Sequence, residues 1–408
     1  MRHGGSSRAL HQTFEKIVVS KVSIHRPRNH AAKGEEVMNK PPNRKCTYSV
    51  LTLACLWAWS IVAASLYPKT DWPEGSPEEF GLDVKLLHAA RDYAISAGGS
   101  GLIVHRGKVI LRWGDSNALY DLKSTSKSIG CMILGLALKD GKVRLDAPAI
   151  KYHPDIGIPP ETNRLTGWRE RITLRMLADQ TAGFDKPGGY VPLLFEPGTQ
   201  WHYSDSGPNW LAECLSLVYG RDLNDLLFER ILTPIGITQK DLRWRNHAFR
   251  PDLINGIKRR EFGSGFHANV GALARIGYLH LREGWWEDKS ILPREFLQTI
   301  RTPNPALAKL PVRLPEEYGR ASAHYQMLWW NNFDGTLKNF PKDAYWSWGL
   351  YDSLIVVVPS LDLVVARAGS SWPRKPKADH YDVLRPFFEP IAAAFPRHSL
   401  APLNKNQP

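Results

Sequence analysis

The spacing of apolar residues along this chain changes period several times, and each change marks an element. Over residues 83–95, Leu86, Leu87, Ala90, Tyr93 and Ala94 share one helical face, with Asp83 placed to cap the first turn. Gly98-Gly99-Ser100-Gly101 breaks that helix. Leu102–His105 and Val109–Trp113 flank Arg106-Gly107-Lys108, which predicts a hairpin. A polar stretch from Tyr120 to Ser128 then feeds an almost unbroken apolar run, Ile129 to Leu138, which predicts a buried helix ending at Lys139-Asp140-Gly141. Thr173 reads as the cap of a short helix. Trp210, Leu211, Cys214, Leu215 and Val218 mark another over 208–219, and helical patterns recur at 221–232 and 268–283. Strand-like sequence returns at Leu354–Val358 and Leu361–Ala366, before an apolar helix over Tyr381–Phe395. Strands near both ends with helices between predict an α/β (α+β) architecture, a sheet assembled from the two ends around a helical insertion.

The first 82 residues do not share this patterning. Residues 1–37 are polar, basic and aperiodic, and read as a misannotated upstream or disordered segment. From Met38, a basic stretch leads into an uncharged run, Cys46 to Pro68, ending in small residues at Ala63-Ala64-Ser65. That order predicts a signal peptide or membrane anchor over 38–68, and hence an exported, periplasmic or secreted body; the membrane enters only through 46–68 if the segment is not cleaved. A linker over 69–82, a folded domain over 83–395 and a tail over 396–408 complete the division.

Composition narrows the function classes. The chain carries a net charge of +13, of which +7 lies in residues 1–45, so a nucleic-acid-binding face is not expected on the body. Cys131 and Cys214 fall in apolar helical patterns and read as buried free thiols. No Cys/His spacing suggests a metal site, and no cofactor is expected.

The chemistry gathers at Ser124-Thr125-Ser126-Lys127. On the first turn of a helix, Ser124 and Lys127 share a face. A hydroxyl beside an amine suits nucleophilic catalysis, with the helix N-terminus expected to depress the amine pKa and to hold an oxyanion. The plain alternative is a capping serine beside a solvated lysine.

Three further stretches make the pattern specific. Leu177-Ala178-Asp179-Gln180-Thr181-Ala182-Gly183, then Phe195-x-Pro197-Gly198 leading to Tyr203-Ser204-Asp205, and finally Ser347-Trp348-Gly349 follow Ser124 in order. Over about 85–385, the chain resembles the penicillin-recognising serine hydrolases, in their class C β-lactamase, esterase and 6-aminohexanoate-dimer hydrolase branch. The resemblance implies a β-lactamase/transpeptidase-like fold with an antiparallel sheet. It implies Ser124 as nucleophile, Lys127 and Tyr203 as general base and acid, and the backbone N–H groups of Ser124 and Leu350 as oxyanion hole. Asp205, Ser347, Trp348 and Gly349 become expected substrate-binding positions, and the substrate a small ester or amide.

Two departures shape the expected specificity. Ser347 stands where β-lactam-recognising relatives carry a cation for the substrate carboxylate, and Asp205 where an Asn is usual. Both favour an esterase or aminohexanoate-oligomer amidase over a β-lactamase or D-alanyl-D-alanine carboxypeptidase. Asp205 has a plainer reading, as a cap or solvated residue ahead of the 208–219 helix. Trp329, Trp330, Trp346, Trp348 and Trp372 either line an acyl pocket or pack the core. A Ser-His-Asp hydrolase is excluded, since neither Ser100 nor Ser264 sits in Gly-x-Ser-x-Gly. A catalytically silent binding module of the same fold is the remaining alternative, as is a membrane-tethered structural protein.

Overall fold

The structure is a computed structural model that describes residues 66–375 and 379–396. The upstream segment, the signal or anchor stretch up to residue 65 and the tail from residue 397 lie outside the described residues. Helix α1 (Val84–Ile95) begins at Asp83, whose carboxylate accepts from the N–H of Lys85 at 2.9 Å and of Leu86 at 3.2 Å. Strands β1 (Ser100–His105) and β2 (Lys108–Trp113) form the hairpin. Its two turn residues, Arg106 and Gly107, have φ of 50° and 80°, the mirror-image turn that matches strand twist.

The remaining strands of the main sheet come from the other end of the chain. They are β3 (Tyr325–Gln326), β4 (Trp329–Asn331), β5 (Tyr345–Trp348), β6 (Leu354–Val358) and β7 (Leu363–Ala368). The order is β3-β4-β5-β6-β7-β1-β2, antiparallel at every pairing, with Ser100 opposite Ala368 where the two ends meet. The sheet therefore extends three short strands beyond the sequence pattern, because two- to four-residue aromatic strands show no alternation.

Both faces of the sheet are covered. Helix α4 (Val270–Leu281) lays Gly277 against Val364 and Ile355, on the face that Val104 and Val357 share by register. The opposite face meets α5 (Arg385–Ala393) and the residues just after it, through Trp113 on Phe387 and His105 on Phe395. Helix α5 begins four residues later than the apolar pattern, with Pro386 in its first turn. Between β2 and β3 lie α2 (Thr125–Lys139), α3 (Ser206–Tyr219), α4, and a small sheet joining Tyr120–Asp121, Phe266–Ala268 and Leu242–Trp244. Cys131 and Cys214 are buried free thiols, as the pattern implies.

A buried ion cluster pins this insertion. Glu213 on α3, 1% exposed, meets Arg250 at 2.7 Å, Arg259 at 3.0 Å and His153 at 3.2 Å. Burial alone would raise its carboxyl; His153 and the two arginines outweigh it and hold the group at about 2. Glu213→Ala leaves two arginines without their counter-charge, and a loss of about 3–5 kcal/mol is expected from the urea midpoint. A depressed carboxyl contributes its stability above the usual range and loses it as pH falls toward the folded value. The gap between wild type and variant should thus be full at neutral pH and close between about 4.5 and about 2.

Candidate active site

Ser124 stands at the N-terminus of α2, with φ of −68° and no capping bond from its side chain. The residue before it is held in an unusual conformation: Lys123 has φ of 48°, its N–H donates to Asp121 at 3.1 Å and its ammonium lies 2.7 Å from the same carboxylate. The next residues clamp the helix end between two sheets. Thr125 donates to the Ser353 carbonyl at 2.7 Å, and Ser126 accepts from the Phe266 N–H at 3.1 Å. Ser124's hydroxyl is left to accept from the Lys127 ammonium at 3.0 Å.

Lys127 is 1% exposed, so the solvated-lysine reading is overturned. Its three donors are all used, on Ser124 Oγ, on the Gly263 carbonyl at 2.8 Å and on Asp205, with which it forms a close ion pair. The ammonium also lies 4.9 Å from the centre of the Tyr203 ring. The expected depression of the amine pKa is not what this arrangement produces. Burial pushes it down, but Asp205 and then Tyr203 push harder the other way, and the net direction is up. The ion pair with Asp205 thus favours the charged form of Lys127.

Asp205 occupies the N-cap position of α3, yet its side chain makes no capping bond. The capping reading is corrected: a buried ammonium is a stronger partner for a carboxylate than backbone N–H groups. One turn further on, Asn209 accepts from the Gly263 N–H at 2.8 Å, so α3 both binds Lys127 and holds the carbonyl that binds it. The segment carrying Tyr203 is gripped from two sides. Gln180 pairs with both backbone groups of Ser204, at 2.9 and 3.0 Å, and the Asp205 N–H donates to the Lys186 carbonyl at 2.8 Å. This is why the Leu177–Gly183 turn accompanies Tyr203 in the chain. The Tyr203 ring stacks with Tyr318 at 5.5 Å and with Trp330 at 6.0 Å.

The end of β5 closes the site. Gly349 lies so near the Leu122 carbonyl that a Cβ there would come within 2.1 Å of it, which excludes any other residue. Leu350 follows, 65% exposed. Neither its N–H nor that of Ser124 has a hydrogen-bond acceptor among the described residues. The turn bearing Leu350 is fixed by Arg367, which donates to the carbonyls of Tyr351 at 2.7 Å and Asp352 at 3.0 Å. Asp352 in turn accepts from Trp348 Nε1 and the Trp372 N–H, both at 2.8 Å. Ser347 is turned into the protein. It is fully buried, its hydroxyl accepting from the Ile355 N–H at 2.8 Å and lying 3.2 Å from the Thr125 hydroxyl, so its expected binding role is withdrawn.

The beta-lactamase family model matches residues 88–385. This chain belongs to the beta-lactamase family. Its fold is shared with a putative beta-lactamase from Bacteroides dorei DSM 17855, at 16% identity and TM-score 0.60, covering 76% of this chain and 97% of that one. A putative 6-aminohexanoate-dimer hydrolase from Bacillus anthracis matches at 17% identity and TM-score 0.58, covering 80% and 89%. A family VIII carboxylesterase matches at 15% and 0.56, covering 77% and 98%. The beta-lactamase-family fold, with its antiparallel sheet and flanking helices, is thus the one that the motifs implied, and the family and its neighbours are serine hydrolases.

In this beta-lactamase-family member, Ser124, Tyr203, Asp205, Trp348, Gly349 and Leu350 all line one cavity of about 1310 Å³. The tryptophans divide: Trp330 and Trp348 line it, while Trp329, Trp346 and Trp372 are core. Sequence reasoning missed Lys186, Arg245 and Tyr318 in the wall, and Gly263 as a lysine acceptor. None belongs to a motif. Only the position of Lys186, three residues past the Gly183 turn, carried a signal.

Proposed function

We propose that this protein is a serine hydrolase that cleaves an ester or amide through an acyl-enzyme on Ser124. The observation that carries the reading is the 3.0 Å bond from a fully buried Lys127 ammonium to a serine hydroxyl that opens onto an aromatic-walled cavity. Ser124 Oγ attacks the substrate carbonyl carbon, and the oxyanion is met by the N–H groups of Ser124 and Leu350, which spend no hydrogen bond elsewhere among the described residues. Lys127 already donates to Oγ, so it acts as a fixed cation that stabilises the alkoxide as it forms. Tyr203, whose ring lies beside that ammonium, relays the proton: its phenol oxygen accepts it from Oγ as its own O–H proton passes to the departing alcohol or amine. Water then attacks the acyl-enzyme by the same route, freeing the acid and restoring Ser124.

The buried Ser347 leaves the β5 position without a cation for a β-lactam carboxylate. Together with fold neighbours named a carboxylesterase and a putative 6-aminohexanoate-dimer hydrolase, this supports ester or linear amide substrates. The test is turnover of a short-chain chromogenic ester, an aminohexanoate dimer and a chromogenic cephalosporin. Ester or dimer hydrolysis well above cephalosporin hydrolysis is expected, and the reverse order contradicts the specificity.

The ion pair makes its own prediction. In Asp205→Asn, the largest influence raising the Lys127 pKa is gone and burial, which lowers it, takes over. If the ammonium is the working form, the variant's kcat/KM should fall about tenfold or more with rising pH, at values where the wild type is still active. A variant whose rate climbs with pH would identify neutral Lys127 as the base instead.

A further inference from the structure

We propose that Lys186 forms an anion subsite in the wall of the Ser124 cavity, and that the preferred substrates carry a carboxylate besides the bond that is cleaved. The inference rests on the hydrolase reading above and names its substrate class. Among the basic side chains lining the cavity, Lys123 is paired with Asp121, Arg245 with Glu261, Arg374 with Asp352 and Arg385 with Asp382. Lys127 is committed to Asp205 beneath the nucleophile. Of the wall cations, only Lys186 and Lys375 have no carboxylate within ion-pair distance among the described residues. Lys375 is exposed, whereas Lys186 is half-buried beside the catalytic tyrosine.

Lys186 is also built in place. Its carbonyl accepts from the Asp205 N–H at 2.8 Å, and the preceding carbonyl, of Asp185, accepts from Ser204 Oγ at 2.7 Å. Its ammonium lies 4.9 Å from the centre of the Tyr203 ring, the ring that Lys127 also approaches. Two cations therefore approach one phenol ring, and only Lys127 has a counter-charge among the described residues. A half-buried ammonium without one is a site for an anion, and a carboxylate on the substrate supplies it while exchanging little water. The cation that Ser347 does not provide at β5 is thus provided from the loop after Gly183.

The test compares matched chromogenic esters, glutaryl (anionic) and valeryl (neutral), on the full chain. Wild type should favour the anionic ester in kcat/KM, less so at high salt. In Lys186→Gln the anionic-to-neutral ratio should fall about tenfold or more, in Lys186→Glu further, and Lys186→Arg should largely keep it. A ratio that does not move in Lys186→Gln overturns the subsite even if both esters are hydrolysed. A second readout needs no turnover: calorimetry of monomethyl glutarate against dimethyl glutarate on Ser124→Ala. Tighter binding of the monoanion, lost in the Lys186→Gln double variant, supports the subsite; equal binding overturns it. If the monoanion binds as expected but wild type hydrolyses neither ester, it is the hydrolase reading that fails.

Discussion

Lys127→Met is expected to lower kcat/KM by about 10³-fold, with the protein still folded. Methionine is close to lysine in length and fills the same buried slot, so packing along α2 should survive. What disappears is the donor to Ser124 Oγ and the positive charge that meets the forming alkoxide. Fixed electrostatic and proton-transfer groups of this kind each account for about 10²–10⁴ in rate. Asp205 is already 30% exposed within the pair, so water can take over its solvation and the stability loss should be modest. Lys127→Arg should not rescue activity, because three acceptors converge on one nitrogen and a planar guanidinium cannot satisfy them in a site 1% exposed. A fall of less than tenfold in Lys127→Met would remove the lysine from the mechanism.

Ser124→Ala should have the larger effect on rate and the smaller on stability. Loss of a nucleophile leaves whatever the oxyanion donors and binding supply, and a fall of about 10⁴-fold or more in kcat is expected. Lys127 keeps Asp205 and the Gly263 carbonyl, so no buried donor group is stranded as a whole. Thermal unfolding should accordingly shift little, and it separates this variant from Glu213→Ala, which should unfold early while leaving Ser124 in place.

The parts of this molecule that could be read from the sequence are those written in local pattern. The almost unbroken apolar run after Ser128 required a buried helix, and Arg106-Gly107-Lys108 between two short apolar runs required a hairpin; both are present. What could not be read depends on residues brought from far away. Asp205 carries the features of a helix cap, and only the approach of Lys127 from 78 positions earlier turns it into an ion-pair partner. The same approach reverses the direction expected for the lysine pKa. Ser347 was expected to face the substrate, but its side is set by the register that places it opposite Ile355, where Thr125 and the strand itself absorb the hydroxyl. The tryptophans follow the same logic. Trp329 and Trp330 are neighbours on a strand, so one enters the core beside His280 while the other turns to the cavity and stacks on Tyr203.

The central claim, that Ser124 is an activated nucleophile in a site organised by Lys127 and Asp205, has a direct test. The purified protein, Ser124→Ala and Lys127→Met would each be treated with a serine-reactive phosphonate, then weighed intact and mapped by peptide. One equivalent of label on Ser124 in the wild type is expected, none on Ser124→Ala, and labelling slowed by orders of magnitude in Lys127→Met. Label on another residue, or equal labelling of wild type and Lys127→Met, would contradict it.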